Sequence, residues 1–248
     1  MTPRRTAVLM ITAAVLLNVA FTGLASVFDY PDVLKQPAGD VLASFRDSQG
    51  AVTAWFVALA LGAALLAPVA VGVGKLSGSR PMRWAVPVGI AAAVVQVVGL
   101  LRWPLLVPGW ASTAAGDDPV AAANARSAFS TANRVLGNVI GETGGYLLTA
   151  AWTLLVLAAL GTAFAGRWFI ALGSVSAALV LAGVLSPLDL PLVDTANFAG
   201  YVLWSLWLVL FAAVLVVRHH RRSAVPGPIT GSGTIPTPRP SAATDVRS

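Results

Sequence analysis

The residues best suited to chemistry lie in one short stretch, residues 137–146, which reads GNVIGETGGY. It contains Glu142, the only glutamate of the chain, in an otherwise apolar and glycine-rich region. A carboxylate in an apolar region is costly unless it faces protein, water or an opposite charge. Glu142 is therefore the first candidate functional residue.

The residues around Glu142 repeat at a spacing of four, which places them on neighbouring rows of one helix. One row consists of small residues: Gly137, Gly141 and Gly145. The row beside it is polar: Asn138, Glu142 and Tyr146. Because small residues let another helix approach closely within a membrane, we expect the glycines to form a helix-packing seam with a polar edge.

Two residues of the preceding apolar segment fit the polar edge. Counting along a helix at 1.5 Å per residue places Arg102 at the depth of Glu142 and Gln96 about 9 Å deeper. We therefore expect an ion pair between Glu142 and Arg102, with Arg134 as the competing partner. The predicted ligand-binding recess consists of these side chains: Gln96, Arg102, Asn138, Glu142 and Tyr146.

Other interpretations of Glu142 stay open at this point. A glutamate near the start of a helix also interacts favourably with the helix dipole, and a buried ion pair is often only structural. A ligand or ion site and a catalytic acid are further alternatives. No catalytic residue is assigned.

Several kinds of site are disfavoured by residue type. The chain has no cysteine, and both histidines, His219 and His220, lie in a basic run after the last apolar segment. Disulfides and thiolate metal sites are excluded, and we predict no cofactor and no metal. The chain also lacks a Walker-type loop, a GxGxxG and an HExxH motif.

The composition indicates the elements that position these residues. Of the 248 residues 57% are hydrophobic and 10% charged, whereas about a quarter of a soluble domain is charged. Continuous apolar runs long enough to cross a bilayer recur at residues 6–28, 51–74, 84–103, 137–164, 168–188 and 197–217. We predict an all-α, polytopic membrane bundle of six transmembrane helices, because β-barrel strands would alternate instead. Cleavage of the first run as a signal peptide is the alternative for that segment.

The distribution of basic residues predicts the orientation. If the N-terminus is inside, most of the 16 Lys and Arg residues fall on the inner side, as the positive-inside rule requires. We therefore predict a multi-pass protein of a bacterial inner (plasma) membrane with both termini in the cytoplasm. The net charge of +6 belongs to clusters that flank the membrane, so no nucleic-acid partner is expected.

Short amphipathic helices are predicted in the extracytoplasmic connections. Asp40 would cap one, followed by an apolar face of Val41, Leu42 and Phe45. Asp118 would cap another, with Pro119 at its first position.

Two further expectations concern the ends of the spans. Asp194 would cap the sixth span. Six tryptophans near the predicted boundaries would form an aromatic belt: Trp103, Trp110, Trp152, Trp168, Trp204 and Trp207.

The chain divides into two parts by composition. Residues 1–222 form the predicted transmembrane domain. From residue 223 to 248 the chain is rich in Pro, Gly, Ser and Thr with few large apolar residues. Such a segment cannot bury enough surface to offset its ordering entropy, so we predict a disordered cytoplasmic tail.

Three segments resemble a known family: FDYPDVLKQPAGDVLASF, GLLRWPLLVPGWA and GNVIGETGGYLLTAAWT. The chain is similar, over residues 6–217, to uncharacterised multi-spanning membrane proteins common in actinobacteria and described as a domain of unknown function. The resemblance implies a fold and a membrane location but no activity. In that family the fourth-span motif often has histidine after glutamate, whereas Thr143 follows Glu142 here. A Glu-His acid–base or metal role is therefore not carried over.

The sequence favours a non-enzymatic membrane component that senses, scaffolds or binds a partner. Its predicted partners are the lipid bilayer and either another protein or a second copy of the chain. The first alternative is a small-molecule or proton-linked transporter that uses a recess around Glu142 and Arg102. A second alternative is an intramembrane enzyme acting on a lipid or isoprenoid.

Overall fold

The structure, a computed structural model, describes residues 1–188 and 190–223, with side chains as far as Arg218. The predicted disordered tail lies, from residue 224 onward, outside the described residues. Within the described part every regular element is helical, and six helical segments are long and apolar enough to cross a membrane. The predicted all-α bundle of six spans is confirmed.

The six spans are Pro3–Phe28, Gln49–Gly74, Arg80–Ala114, Pro119–Ala165, Arg167–Leu188 and Val193–Arg218. Span one is helix α1 (Pro3–Phe28), and span two consists of α3 (Gln49–Ala64) and α4 (Leu66–Gly74). Span three consists of α5 (Arg80–Leu105) and α6 (Val107–Ala114). Span four joins α7 (Pro119–Ala132), a π-helix (Asn133–Gly144) and α8 (Gly145–Ala165).

Span five consists of α9 (Arg167–Ala182) and a 3₁₀ helix (Gly183–Leu188), and span six lies in α10 (Val193–Ser223). A 3₁₀ turn (Asp32–Lys35) and α2 (Ala38–Asp47) follow span one. The connections after spans one and three, residues 29–48 and 115–118, lie on one side of the membrane, because two crossings separate them. We call this the site side.

Proline explains two interruptions of the spans. Pro68 follows the break between α3 and α4 at Leu65, and Pro108 follows the break between α5 and α6 at Leu106. Proline has no N–H to donate and its ring clashes with the carbonyl four residues earlier, so a continuous α-helix is disrupted there.

The predicted helices of the connections form, but one cap is wrong. Asp118 caps α7 and accepts hydrogen bonds from the backbone N–H groups of Val120 (2.8 Å) and Ala121 (3.2 Å). Helix α2, in contrast, begins at Ala38, and Asp40 lies in its first turn. The extended backbone of Pro37 starts this helix earlier than the carboxylate, although Asp40 remains favourably placed for the helix dipole.

The predicted cap of span six is also wrong. Helix α10 begins at Val193, so Asp194 lies inside its first turn. The preceding residue, Leu192, has a φ of 69°, and this left-handed residue ends the connection. The carboxylate of Asp194 is still close to the positive end of the helix dipole.

The tryptophans do not form a belt, and that prediction is wrong for most of them. Trp103, Trp152 and Trp207 are fully buried, and Trp204 is 3% exposed. Trp103 stacks on Phe56 with ring centroids 4.6 Å apart, and it also packs against Phe28, Phe45 and Phe129. Large aromatic rings fill the space between helices here because packing, and not water exclusion, drives helix association in lipid.

Candidate polar binding site

Glu142 lies on a π-helix, Asn133–Gly144, together with Gly137, Asn138 and Gly141. Gly145 and Tyr146 begin α8, and Gln96 and Arg102 lie in α5. A π-helix has hydrogen bonds between residues five apart, and even single π-turns are frequent at functional sites. This segment of 12 residues is rich in glycine and asparagine, which favour the α-helix weakly. The four-residue spacing indicated a regular α-helix here, and the π-helix was not predicted.

The glycines of this segment pack against span three. A Cβ added to Gly137 would lie 2.7 Å from Nη2 of Arg102, one on Gly141 would lie 3.1 Å from Cα of Gly99, and one on Gly145 would lie 3.0 Å from Cγ of Gln96. The three contacts are successive along α5, at intervals of three residues. The seam therefore fixes Arg102 and Gln96 beside the polar edge of span four.

Arg102 is held at the end of this seam. Its side chain is 4% exposed, and its Nη2 donates a hydrogen bond of 2.9 Å to Oδ1 of Asn133. Its Nη1 donates to the carbonyl of Gly99, and its guanidinium lies over the Trp103 ring at 5.4 Å from the centroid. Its Nε is buried and has no hydrogen-bond partner among the described residues.

All three tyrosines of the chain surround Glu142. Tyr30, Tyr146 and Tyr201 each lie within electrostatic range of its carboxylate, as do Arg102 and Asp194. The rings of Tyr146 and Tyr201 are adjacent, with centroids 5.9 Å apart. Side chains from spans three, four and six and from the first connection therefore share the electrostatic environment of this carboxylate.

Tyr30 links this cluster to the aromatic core. It lies in the connection after span one, and its ring packs edge-on against Phe56 at 5.3 Å. Tyr30 is also in polar contact with Arg102. Burial, and secondly the negative charge of Glu142, raise the pKa of Tyr30 to about 12, so its hydroxyl stays a hydrogen-bond donor at neutral pH.

A second polar chain lies deeper in the bundle. Nε2 of Gln96 donates a hydrogen bond of 3.2 Å to Oγ1 of Thr149, and Thr149 is in polar contact with Tyr201. Thr149 continues the row of small residues on span four. Gln96 therefore connects span three to span six through one threonine, which stabilises the inner wall of the cluster.

The predicted ion pair between Glu142 and Arg102 does not form. Within the described part of the chain, the ion pairs shorter than 4.0 Å are those of Lys35 with Asp32 and Asp194. Arg102 extends along the glycine seam toward Asn133, and its Nη1 and Nη2 donate their hydrogen bonds there, to Gly99 and Asn133. The alternative partner, Arg134, is exposed on the π-helix.

Two predicted recess residues have no hydrogen bond. The carboxylate of Glu142 makes none with the described residues, and Asn138 is half-buried on the same π-helix, also without one. Among the described residues, no three His, Asp or Glu side chains are grouped to hold a metal ion. The groups available for chemistry here are an acceptor carboxylate, tyrosine hydroxyls and a fixed guanidinium.

The residue spacing in the sequence did not indicate Tyr30, Tyr201 or Asn133 as site residues. The chain has only three tyrosines, and topology alone places Tyr30 on the site side, because it follows span one. Tyr146 lies at the start of α8 within span four, and Tyr201 lies about two turns into span six. Spans four and six both start from the site side. A search for residue types that are rare in this chain, among the positions expected near the site side, would have found these tyrosines.

Comparison with known proteins agrees with the resemblance of the three segments. The model of the family described as Domain of unknown function (DUF4386) matches residues 6–212. The chain belongs to this family. No curated protein and no solved structure matches it. The matched DUF4386 region contains all six spans except the first three residues of span one and the end of span six, and it includes every residue of the polar cluster.

Proposed function

We propose that this DUF4386 protein is a non-enzymatic membrane component that binds a ligand or partner through the cluster around Glu142. One observation carries the proposal. The carboxylate of Glu142 has no hydrogen bond among the described residues, although Arg102 and three tyrosines lie around it. Glu142 is half-buried in the single chain, so its unpaired carboxylate is accessible as an acceptor for a partner from outside the fold.

The charged residues of the cluster are energetically costly to a membrane bundle. Charged residues inside a membrane bundle are rare, and those that occur mark binding or transport sites. Arg102 is hydrogen-bonded to Asn133 and Gly99, which carry no charge, and its Nε is unpaired. A bundle with apolar residues in place of Glu142 and Arg102 would be easier to stabilise.

The side chains of the cluster suit recognition. Its hydroxyls belong to tyrosines, which are poor nucleophiles without a neighbouring base, and its amides can only donate and accept hydrogen bonds. Deeper in the bundle, Ser176 donates its hydroxyl proton to the carbonyl of Gly173 within its own helix. We therefore favour binding over catalysis.

We also propose a bacterial inner (plasma) membrane with both termini in the cytoplasm. Six spans would return the chain to its starting side, and the basic residues favour that side as the inner one. The site side would then face away from the cytoplasm, and the cluster would receive its partner from there.

The lipid bilayer is one proposed partner, and an exposed apolar row on span one supports this proposal. Val8, Ile11, Val15 and Val19 follow a helical row and are 57%, 42%, 53% and 50% exposed in the single chain. An exposed apolar row of this kind fits acyl chains or another apolar helix. A second copy or another protein would compete with lipid for the same row.

The test is recovery of a bound component. The chain should be purified in native-lipid nanodiscs and examined by native mass spectrometry, with Glu142→Gln as the test variant. Asp47→Asn, an exposed carboxylate on the site side, is the matched control. We expect a specific adduct on the wild type and on Asp47→Asn and its loss from Glu142→Gln. Adducts that are equal on all three proteins would overturn the proposal.

Transport is the second candidate, and the interrupted spans favour it. Span four contains a π-helix and a further break at Gly161, whose φ is 60°. Span two is interrupted at Leu65 and span five ends in a 3₁₀ helix. Discontinuous helices often form the substrate sites of transporters. A proton or solute flux into proteoliposomes that Glu142→Gln abolishes would identify a transporter and contradict the non-enzymatic binding component.

A further inference from the structure

A second polar site lies on the site side, outside the cluster. It is a groove of about 590 Å³ formed where α2 meets the end of α6 and the middle of α7. Its charged lining residues are Asp40 and Arg46 of α2 and Arg126 of α7. Its remaining lining is small or apolar, so these three side chains determine its chemistry.

The two guanidinium groups of the groove lack partners. Within the described part of the chain, neither Arg46 nor Arg126 forms an ion pair shorter than 4.0 Å or a side-chain hydrogen bond. Arg126 lies along the first turn of α2, where a Cβ on Gly39 would be 3.5 Å from its Nε. This is an ordinary van der Waals distance, so Arg126 packs along the first turn of α2 at the groove.

The position of the groove matches the headgroup layer or the space beyond it. Span four, including α7, has 47 helical residues, or about 70 Å at 1.5 Å per residue, whereas a hydrocarbon core is about 30 Å thick. Much of α7 must therefore lie outside the core. Leu42 and Phe45 of α2 are buried against the bundle, which keeps Asp40 and Arg46 beside α7.

We propose that this groove binds a phosphate group that carries a neighbouring hydrogen-bond donor. Two guanidinium groups supply the N–H donors that phosphate oxygens prefer. Asp40 would repel a bare anion but accept a hydrogen bond from an ammonium or hydroxyl group next to the phosphate. A phosphoethanolamine-type headgroup has both features, and so does a soluble amino- or hydroxyalkyl phosphate. The proposal does not depend on the function of the Glu142 cluster.

Lipid retention tests whether the bound phosphate belongs to a lipid headgroup. The protein should be reconstituted with phosphatidylethanolamine and phosphatidylcholine in equal amounts, and its bound lipids counted by native mass spectrometry. Phosphatidylcholine has a phosphate but no N–H donor. We expect at least a fivefold preference for phosphatidylethanolamine in the wild type, and its loss in the double variant Arg46→Gln/Arg126→Gln. Asp40→Asn should keep bound phospholipid but lose the preference.

A titration with soluble phosphates tests whether the bound phosphate belongs to a soluble compound. Phosphoethanolamine and inorganic phosphate are titrated against the detergent-purified protein while its unfolding temperature is measured. We expect phosphoethanolamine to raise the unfolding temperature saturably and by more than inorganic phosphate does, and we expect no such rise in the double variant. If lipid retention shows no preference, this result assigns the groove to soluble ligands.

The matched control is Arg134→Gln, an exposed arginine of the π-helix that does not line the groove. The double variant removes exposed side chains, so its unfolding temperature without ligand should match that of the control. Lipid retention and phosphate response that are the same in the double variant and in Arg134→Gln would overturn the proposal. So would equal binding of both lipids together with no response to phosphoethanolamine.

Discussion

Gly99 of span three and Gly141 of span four face each other in direct contact: a Cβ on Gly99 would lie 2.7 Å from Cα of Gly141 and 2.9 Å from the carbonyl oxygen of Leu136. The backbones approach so closely only because neither residue has a side chain. This contact sets the position of the π-helix, and with it the position of Glu142 relative to Arg102.

Replacement of Gly99 by alanine tests this contact. Because the new methyl group would collide with backbone atoms, which cannot move aside as a flexible side chain does, we expect Gly99→Ala to lower the free energy of unfolding by about 1–3 kcal/mol. Reversible unfolding in mixed micelles measures it. Gly109→Ala is the control, because a Cβ at Gly109 has no neighbour within 4 Å. Equal stability of the two variants would show that the helices do not touch.

The bond between Arg102 and Asn133 is tested by a double-mutant cycle. Arg102→Lys keeps the charge but loses the forked geometry that reaches Asn133 and Gly99. We expect it to lower the free energy of unfolding by about 1–3 kcal/mol, as for hydrogen bonds of charged groups. Its coupling to Asn133→Ala should be about 1 kcal/mol, within the range of interhelical hydrogen bonds in membranes.

Asn124, exposed on α7, supplies the control for that cycle. Asn124→Ala removes the same amide without touching Arg102, so its effect should add to that of Arg102→Lys. If Asn133→Ala is equally additive, the 2.9 Å bond does not contribute to stability.

The pKa of Tyr30 gives a direct measure of the charge near it. In the double variant Tyr146→Phe/Tyr201→Phe, Tyr30 is the only tyrosine, so a titration of tyrosinate absorbance reports on it alone. We expect a midpoint of about 12, raised from the ordinary 10 by burial and by Glu142. Adding Glu142→Gln should lower the midpoint only in part, because burial is the larger cause.

The same shift determines a pH dependence of stability. Because the folded pKa is raised, the contribution of Tyr30 to stability is complete below pH 10 and is lost as the pH rises toward about 12. Tyr30→Phe should therefore flatten the fall in stability over that window. A midpoint near 10 in the titration would show that Tyr30 is solvated and away from Glu142.

The break in span four at Gly161 depends on glycine. Its φ of 60° and ψ of −171° belong to a region that other residues rarely adopt. A Cβ there would meet nothing within 4 Å, so any cost of Gly161→Ala comes from the backbone. We expect a loss of about 1–3 kcal/mol, measured by unfolding in micelles.

A helical glycine with equal free space is the control for Gly161. Gly50 in α3 also has no atom within 4 Å of a Cβ, and its φ is not positive, so Gly50→Ala should be neutral or stabilising. A Gly161→Ala variant as stable as Gly50→Ala would mean that span four is a continuous helix.

The six spans could be predicted from the sequence because hydrophobic length alone determines them. The capping residue Asp118 was also predictable, since its side chain bonds to the next turn. The caps at Asp40 and Asp194 were not, because the conformations of Pro37 and Leu192 start the helices earlier. Helix boundaries depend on the local backbone more than on the type of one side chain.

The polar cluster was only partly predictable. Four-residue spacing placed the glycines against span three, and equal depth brought Arg102 to the same level. The direction of the Arg102 side chain depends on Asn133 and on the π-helix, neither of which has a sequence signature. The buried tryptophans were misassigned for a related reason, since hydropathy does not tell which face of a membrane helix meets another helix.

We propose that Glu142 lies in a protein-lined recess that opens toward the site side. The chain has no native cysteine, so single cysteines can be introduced at Glu142, at Ser112 as an exposed reference and at Val139, which is 58% exposed on the outside of the bundle. A small, membrane-impermeant thiol reagent is then added from either side of the membrane. We predict that Glu142→Cys and Ser112→Cys react from the same side only and that Val139→Cys does not react. Reaction of Glu142→Cys from the opposite side, or from neither, would contradict the account.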